Sequence, residues 1–486
     1  MLGEDKYGHR LRPAQTALLA YFSGVLWYLG NCYWIYQTMH TYGDLPKAAA
    51  YGILLLFSLY VALYHALFGW IIGWLRRRCS RELLLCIVPF AWVAVELARA
   101  RITGFPWDLL GYTQVDNLLL SRLAPWTGVM GLSFIVAAVN GLWLLRGRTR
   151  AIVGPAAAVI VVAIFTLLGT HLWTREKVEV TSTAVLLQEN LKVGSEASGP
   201  VETKQDLLAA FDELSVHPTA APVPAEGLPV IPPAVLAGKP SIIAWPESPA
   251  DFYDADPVLR QSMGALAVRL RTPVIVDTVA IAFRTPEGHM SEYNSAALFL
   301  ADGSYGGRYD KMRLVPFGEY TPYKSLFFFA GHLLDSLPFV PGLQRRIFKA
   351  DGKNYGVFIC YESIFGDDIR HFADDGAQVL VNISDDGWYG DSSAPWEHLD
   401  MVRMRAIEND RWVVRATNTG ITASIDPFGR VTATIPRHIR GSMLAGFSYR
   451  DHRTLYTRMG DWIGWLSVVV TVAGLGHSSR RRREVH

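Results

Sequence analysis

The chain has 486 residues, 50% of them apolar and only 19% charged, with a mean hydropathy of +0.18. That charged share lies below the roughly 25% of an average soluble domain, and the composition excludes a disordered, collagenous or low-complexity scaffold. The 46 basic and 44 acidic residues leave a net charge of +2, which argues against nucleic acid as a partner, and four cysteines are too few for a disulfide framework.

In chain order, apolar runs at 15–38, 47–75, 82–99, 120–145 and 151–173 come first. Each holds about the 20 residues that a hydrocarbon core of roughly 30 Å requires. Residues 1–175 are therefore expected to form a transmembrane bundle of about five helices. The first run has no small-residue cleavage site and further spans follow it, so it does not read as a signal peptide. Residues 176–455 have a different texture. Apolar, β-rich runs occur at Val178–Leu187, Ser241–Trp245, Pro273–Ile281, Asn294–Leu300, Tyr355–Cys360, Ala377–Ile383 and Trp412–Thr417. Amphipathic stretches at 202–215, 254–271 and 396–410 alternate with them, which predicts a layered α/β domain. His217–Lys239, rich in Pro and Ala, reads as an exposed loop. Residues 456–486 hold a last apolar run, Trp462–Leu475, and a basic tail at Arg480–Arg483.

Basic residues orient the bundle. Lys6, Arg10 and Arg12 precede the first run, Arg76–Arg78 and Arg81 follow the second, and Arg146, Arg148 and Arg150 follow the fourth. With the N-terminus in the cytoplasm, these clusters and the tail all fall on the cytoplasmic side, and only Arg99 and Arg101 fall outside. Five crossings then place 176–455 outside the cytoplasm. Glu96, an acid inside the third run, is expected to pair with Arg99 or Arg101 within the bundle.

Three reactive side chains stand where apolar strands end. Ser-Ile-Ile-Ala-Trp-Pro-Glu closes on Glu247, Tyr-Gly-Val-Phe-Ile-Cys-Tyr-Glu carries Cys360 and Glu362, and Tyr309-Asp310-Lys311 leads into Leu-Val-Pro-Phe-Gly-Glu-Tyr with Glu319. Strand ends in α/β folds project side chains into a ligand crevice. A carboxylate can take a thiol proton, the sulfur can attack an acyl carbon, and an ammonium can stabilise the resulting oxyanion. Together they would run acyl transfer through a thioester. Taken singly, each has a plainer reading: a strand-end Cys as a small buried hydrophobe, a Lys or Glu as a surface charge.

The motifs around these residues decide between the two. Trp245-Pro-Glu-Ser, Asp310-Lys-Met-Arg-Leu-Val-Pro-Phe-Gly-Glu-Tyr and Cys360-Tyr-Glu resemble the nitrilase superfamily with its Glu-Lys-Cys triad. The flanking membrane spans, Gly104-Phe-Pro-Trp, Asp385-Asp-Gly-Trp-Tyr-Gly, Arg403-Met-Arg-Ala-Ile-Glu and Arg415-Ala-Thr-Asn-Thr-Gly-Ile-Thr resemble its membrane-embedded branch, the apolipoprotein N-acyltransferases. The resemblance runs over nearly the whole chain. It implies a nitrilase-like α-β-β-α sandwich carried on a multi-span transmembrane bundle, on the outer face of a bacterial inner membrane. It implies acyl transfer from a glycerophospholipid to the α-amino group of a diacylglyceryl-cysteine lipoprotein, by a protein expected to be a monomer. By the same match Glu247 is the general base, Lys311 the oxyanion stabiliser and Cys360 the nucleophile, with Glu319, Tyr361 and Glu362 in support. Glu319 would hold Lys311 or assist proton transfer; the plainer readings are a loop cap for Glu319, packing for Tyr361 and a distant cation partner for Glu362. No metal and no organic cofactor is required. Two features depart from the family: it usually carries two more helices ahead of the first run, and a Trp where Gln188–Gly199 has none.

A phospholipid ester must be met at the headgroup level, with its acyl tail in an apolar groove. Phe327, Phe328 and Phe329, in an apolar run after Glu319, read as a lid dipping into the interface or as a core helix. Trp388 and Tyr389 would gate the acyl pocket or pack under their turn. Trp107 and Trp126 suit the aromatic belt of a membrane interface. Two other functions compete: a membrane-anchored nitrilase-type amidohydrolase, which would have little use for a multi-span platform, and a non-enzymatic transporter or sensor, which would survive loss of Cys360.

Overall fold

The computed structural model describes residues 11–142, 178–194, 202–220, 228–247, 252–284, 290–320 and 339–483. They fall into two compact units, Met1–Lys177 with Met459–His486, and Val178–Arg458. The apolar run at 151–173 and the Phe327–Phe329 segment lie outside the described residues.

The first unit holds helices α1 (Pro13–Asn31), α2 (Lys47–Arg76), α3 (Arg81–Ala98) and α4 (Ala124–Leu142), and a C-terminal helix Trp462–Arg483. Among the described residues, Lys47–Arg76, Arg81–Thr103 and Ser121–Gly141 are long and apolar enough to cross a membrane. The first expected span is broken: α1 ends at the poor helix formers Gly30 and Asn31, and a four-residue helix and a π-helical turn, Thr38–Tyr42, follow. Helices α1 and α2 lie close because α2 is bare at the contact. A Cβ on Gly69 would sit 2.5 Å from Ala20 Cβ and from the Thr16 carbonyl, so a side chain there would push the helices apart. Leu18, Phe22, Leu26, Leu56 and Leu63 point outward and are exposed, the arrangement a lipid solvent favours.

Two expectations for this unit are corrected. Glu96 is buried, but its hydrogen bonds come from neutral donors, Trp92 Nε1 at 2.9 Å and the Leu110 N–H at 2.8 Å. Arg99 instead donates to the carbonyls of Trp107 and Asp108, and Arg101 pairs with Asp461 at 2.7 Å. The acid and the two arginines thus fasten the loop after α3, where Gly104 turns the chain with φ 69°. Trp107 is not at an interface: it is fully buried, its ring 4.9 Å from that of Trp34 and stacked on Phe105. Trp126 is half exposed, as a belt residue would be, and its carbonyl accepts from Trp462 Nε1.

The second unit is a sandwich of two sheets. One runs β2-β13-β1-β3-β4-β5-β6 and the other β12-β11-β10-β9-β8-β7. In chain order the strands are β1 (Ser182–Gln188), β2 (Thr219–Ala220), β3 (Ile242–Ala244), β4 (Val274–Arg284), β5 (Met290–Phe299), β6 (Tyr305–Asp310), β7 (Ile347–Ala350), β8 (Lys353–Ile359), β9 (Val379–Ser384), β10 (Val413–Thr417), β11 (Ala423–Ile425), β12 (Val431–Thr434) and β13 (Gly441–Phe447). Alternation sorts the side chains. Ala184, Leu186, Ile275 and Leu298 meet Val357, Ile359, Val381 and Val414 between the sheets. Val185, Leu187, Val274 and Val276 face helices α5 (Lys204–Val216) and α6 (Pro257–Leu270) through Phe211, Leu259 and Met263. Helices α7 (Gly366–Asp374) and α8 (Ala394–Asn409) cover the second sheet through Phe372, Leu399 and Val402. The result is the α-β-β-α layering that the resemblance implies. Parallel pairing of β1 with β3, β3 with β4, β8 with β9 and β9 with β10 brings their carboxyl ends to one edge of the sandwich.

Candidate active site

That edge gathers the residues singled out in the sequence. Glu247 lies three residues past β3, Lys311 directly follows β6, and Cys360 directly follows β8, opening a 3-10 turn Cys360–Ile364. Lys311 Nζ is 3.1 Å from Glu247 Oε1 and 2.9 Å from Glu319 Oε1. Asn294 of β5 repeats the bridge, its Nδ2 donating to Glu247 Oε1 at 2.8 Å and to Glu319 Oε1 at 2.9 Å. Each carboxylate spends its other oxygen on backbone: Glu247 Oε2 accepts from the Asp385 N–H at 2.9 Å, Glu319 Oε2 from the Val315 N–H at 2.7 Å. Both carboxylates are thereby held in one orientation, accepting from four donor groups between them.

Burial sets the charges. The Lys311 side chain is 1% exposed. Burial by itself would lower its pKa, yet Glu247 and Glu319, with Cys360 beyond them, hold the ammonium well above the ordinary lysine range. Burial and the Glu247 charge push the Cys360 thiol well up, against the pull of Lys311. The resting sulfur is therefore a thiol, and a base must take its proton as it attacks. Cys360 also adopts φ 46°, in the left-handed region. For a residue with a Cβ this costs roughly 1–2 kcal/mol, and surrounding contacts must hold it there.

Glu362 supplies some of those contacts. Its carboxylate accepts from Tyr309 Oη at 2.6 Å, from the Met312 N–H at 2.7 Å and from the Ile359 N–H at 2.8 Å. These partners are neutral donors rather than the cation considered above. They tie the strand entering Cys360 to the segment leaving Lys311, so Glu362 fixes the spacing of the two. Tyr361 is buried and packs edge-on against Phe365. Trp388 and Tyr389 part ways: Trp388 is exposed, whereas Tyr389 is buried under the turn, edge-on to His398, with its hydroxyl pushed up by burial and by Cys360.

Sequence reasoning missed Asn294. The available signal was a polar residue at an inward position of an otherwise apolar strand, Asn-Ser-Ala-Ala-Leu-Phe. An Asn294→Ala protein loses one charge-assisted donor to each glutamate, interactions worth about 1.5–3 kcal/mol apiece. It is expected to transfer acyl groups about ten- to a hundredfold more slowly. Single-turnover rates, read beside an unchanged far-UV circular dichroism spectrum, check this.

A Glu, a Lys and a buried Cys at the strand ends of a four-layer sandwich define a carbon-nitrogen hydrolase domain, and the family model of that description, Carbon-nitrogen hydrolase, matches residues 202–449. The model for the apolipoprotein N-acyltransferase N-terminal domain matches residues 7–142. Among curated relatives, the apolipoprotein N-acyltransferase of Geobacter metallireducens is 33% identical over 98% of this chain and 89% of its own length. That of Methylococcus capsulatus is 32% identical over 97% and 89%. A solved amidase from Nesterenkonia sp. aligns at a TM-score of 0.39 and 17% identity, over 57% of this chain and 93% of its own. The chain belongs to the apolipoprotein N-acyltransferase family.

Proposed function

We propose that the second unit transfers an acyl chain from a glycerophospholipid to the N-terminal amine of a diacylglyceryl-cysteine lipoprotein, through a thioester on Cys360. The observation that carries this reading is the buried Lys311 ammonium clamped between Glu247 and Glu319 beside a buried thiol.

In the first half-reaction, Glu247 takes the Cys360 proton as sulfur attacks the ester carbonyl. Lys311 stabilises the oxyanion, with Glu319 holding the ammonium in place. The tetrahedral intermediate collapses, and the glycerol oxygen leaves with the proton that Glu247 returns, giving a lysophospholipid. In the second, the lipoprotein amine attacks the thioester and gives up a proton to Glu247. The Cys360 sulfur departs and is reprotonated, leaving the amide. Water would hydrolyse the thioester, and the near-complete burial of Lys311 and Cys360 opposes its entry. Trp388, exposed on the turn after β9, would meet the acyl chain. The reading also places this unit outside the cytoplasmic membrane of a bacterium, acting as a monomer, in keeping with the basic clusters that flank the apolar runs.

Incubating the purified full-length protein with phospholipid is expected to add one acyl mass to the peptide containing Cys360. A diacylglyceryl peptide with a free amine should then discharge it. An unmodified peptide, with Cys360→Ser fully active, would overturn the reading.

A further inference from the structure

Behind the nucleophile turn lies a second set of charged groups that the mechanism above does not use. Asp386, just past β9, His398 in α8 and Arg415 in β10 are each fully buried. Asp386 Oδ1 is 2.8 Å from His398 Nδ1, and its Oδ2 accepts from Arg415 at 2.6 Å. The Ser384 hydroxyl donates to Asp386 Oδ1 at 3.0 Å, and Arg415 also donates to the side chain of Asn382. The far side of the imidazole faces the turn itself. His398 Nε2 is 2.6 Å from Ser363 Oγ and 3.1 Å from the Cys360 carbonyl oxygen. Asn382 Nδ2 holds the end of β8 two residues before Cys360, donating to the Phe358 carbonyl at 3.2 Å.

Resting on the reading of Cys360 as the nucleophile, we infer that His398, anchored by Asp386 and Arg415, is a positioning residue that holds Cys360 in its left-handed conformation. The carbonyl direction of Cys360 is set by its own ψ, so gripping that oxygen fixes the turn. Gripping Ser363 at the other end of the same turn keeps it closed. The imidazole spans the distance between the ion pair and the turn, meeting Asp386 through Nδ1 and Ser363 and the Cys360 carbonyl through Nε2. A buried ion pair is weak evidence of stability, since desolvation offsets much of its attraction. Its geometry here serves to aim the ring. Because the sulfur follows the backbone at this residue, a loosened turn misplaces Sγ relative to Lys311 and Glu247.

Two substitutions separate aiming from mere packing. An Asn amide at 398 reaches only as far as Nδ1, keeping Asp386 and releasing the turn, whereas a Gln amide reaches the Nε2 position and keeps the turn. In single-turnover assays on the full-length protein with phospholipid, His398→Asn is expected to form acyl-Cys360 about a hundredfold more slowly, with KM nearly unchanged. His398→Gln, which keeps the contact with the turn and gives up the anchor at Asp386, is expected to fall between wild type and His398→Asn, and each variant should melt somewhat earlier for the buried groups it leaves unpaired. A folded His398→Asn protein that acylates at the wild-type rate overturns the inference, as does a folded His398→Gln protein as slow as His398→Asn. Should His398→Asn not fold, Asp386→Asn decides: slowing of at least about tenfold supports the role, and an unchanged rate overturns it. Wild type is the control for the underlying reading. If it forms no acyl-Cys360, that reading falls first; if it does and the variants match it, only the positioning role falls.

Discussion

Lys311→Met is expected to form the acyl-enzyme at least about a thousandfold more slowly than wild type. Losing one preorganised oxyanion donor typically costs about 10²–10³ in rate. Here the loss reaches further, because Lys311 is bonded to both Glu247 and Glu319. Without it two carboxylates face each other behind Asn294, and one of them would take up a proton to relieve the repulsion. If that proton settles on Glu247, the base is lost together with the oxyanion donor. Removing one partner of a buried ion pair also destabilises by about 3–5 kcal/mol. The variant should therefore melt earlier and gain stability toward acid, where both carboxylates become neutral. Rapid-quench mass spectrometry of the Cys360 peptide and thermal unfolding between acidic and neutral pH test the two halves. Acylation at the wild-type rate would remove Lys311 from the mechanism.

The second large effect belongs to Glu247→Gln. Gln keeps the volume and can still accept from the Asp385 N–H, so the fold should persist. General-base catalysis contributes about 10²–10⁴ in rate, and a fall of that order is expected. The pH profile carries the diagnostic. The Cys360 thiol is held well up by burial and by Glu247. In the variant the reactive species is the small fraction of preformed thiolate, which grows tenfold per pH unit while the pH stays below the thiol pKa. The residual rate should therefore climb steadily from neutral to alkaline pH. Wild type draws its base from the site and should be much flatter over the same range. Parallel profiles would mean that Glu247 does not take the thiol proton.

Much of this site was legible in the sequence because each principal group stands at the end of an apolar strand, and that pattern survives folding. Glu247, Lys311 and Cys360 are separated by over sixty and by forty-nine positions, yet the parallel register of β1, β3 and β4 and of β8, β9 and β10 delivers the strand ends to one edge. Asn294 left only the faint mark of a polar residue on the inward face of an apolar strand, and His398 left none, since neither shows in the sequence which partners it meets. His398 reads as an ordinary helical histidine until β9 and β10 bring Asp386 and Arg415 behind it. The strands Tyr305–Asp310 and Ile347–Ala350 went unforeseen for a related reason. They are the outer strands of their sheets, only partly buried, and the first contains two glycines, so the alternation that marks a half-buried strand is faint. Trp107 shows the opposite failure. An aromatic beside an apolar run reads as an interfacial anchor, and only its packing against Trp34 and Phe105 and the grip of Arg99 on its carbonyl reveal that it is turned inward.

The elevated thiol has a bearing on durability. Peroxide, disulfides and alkylating agents attack thiolate far faster than thiol, and they must reach the sulfur to do so. Burial and the Glu247 charge hold the Cys360 thiol well up, and the residue is enclosed. A cysteine left as thiolate and open to solvent is readily lost to sulfenylation or mixed disulfides. On the proposed mechanism the sulfur stays protonated between turnovers and gives up its proton only as it attacks an acyl carbonyl.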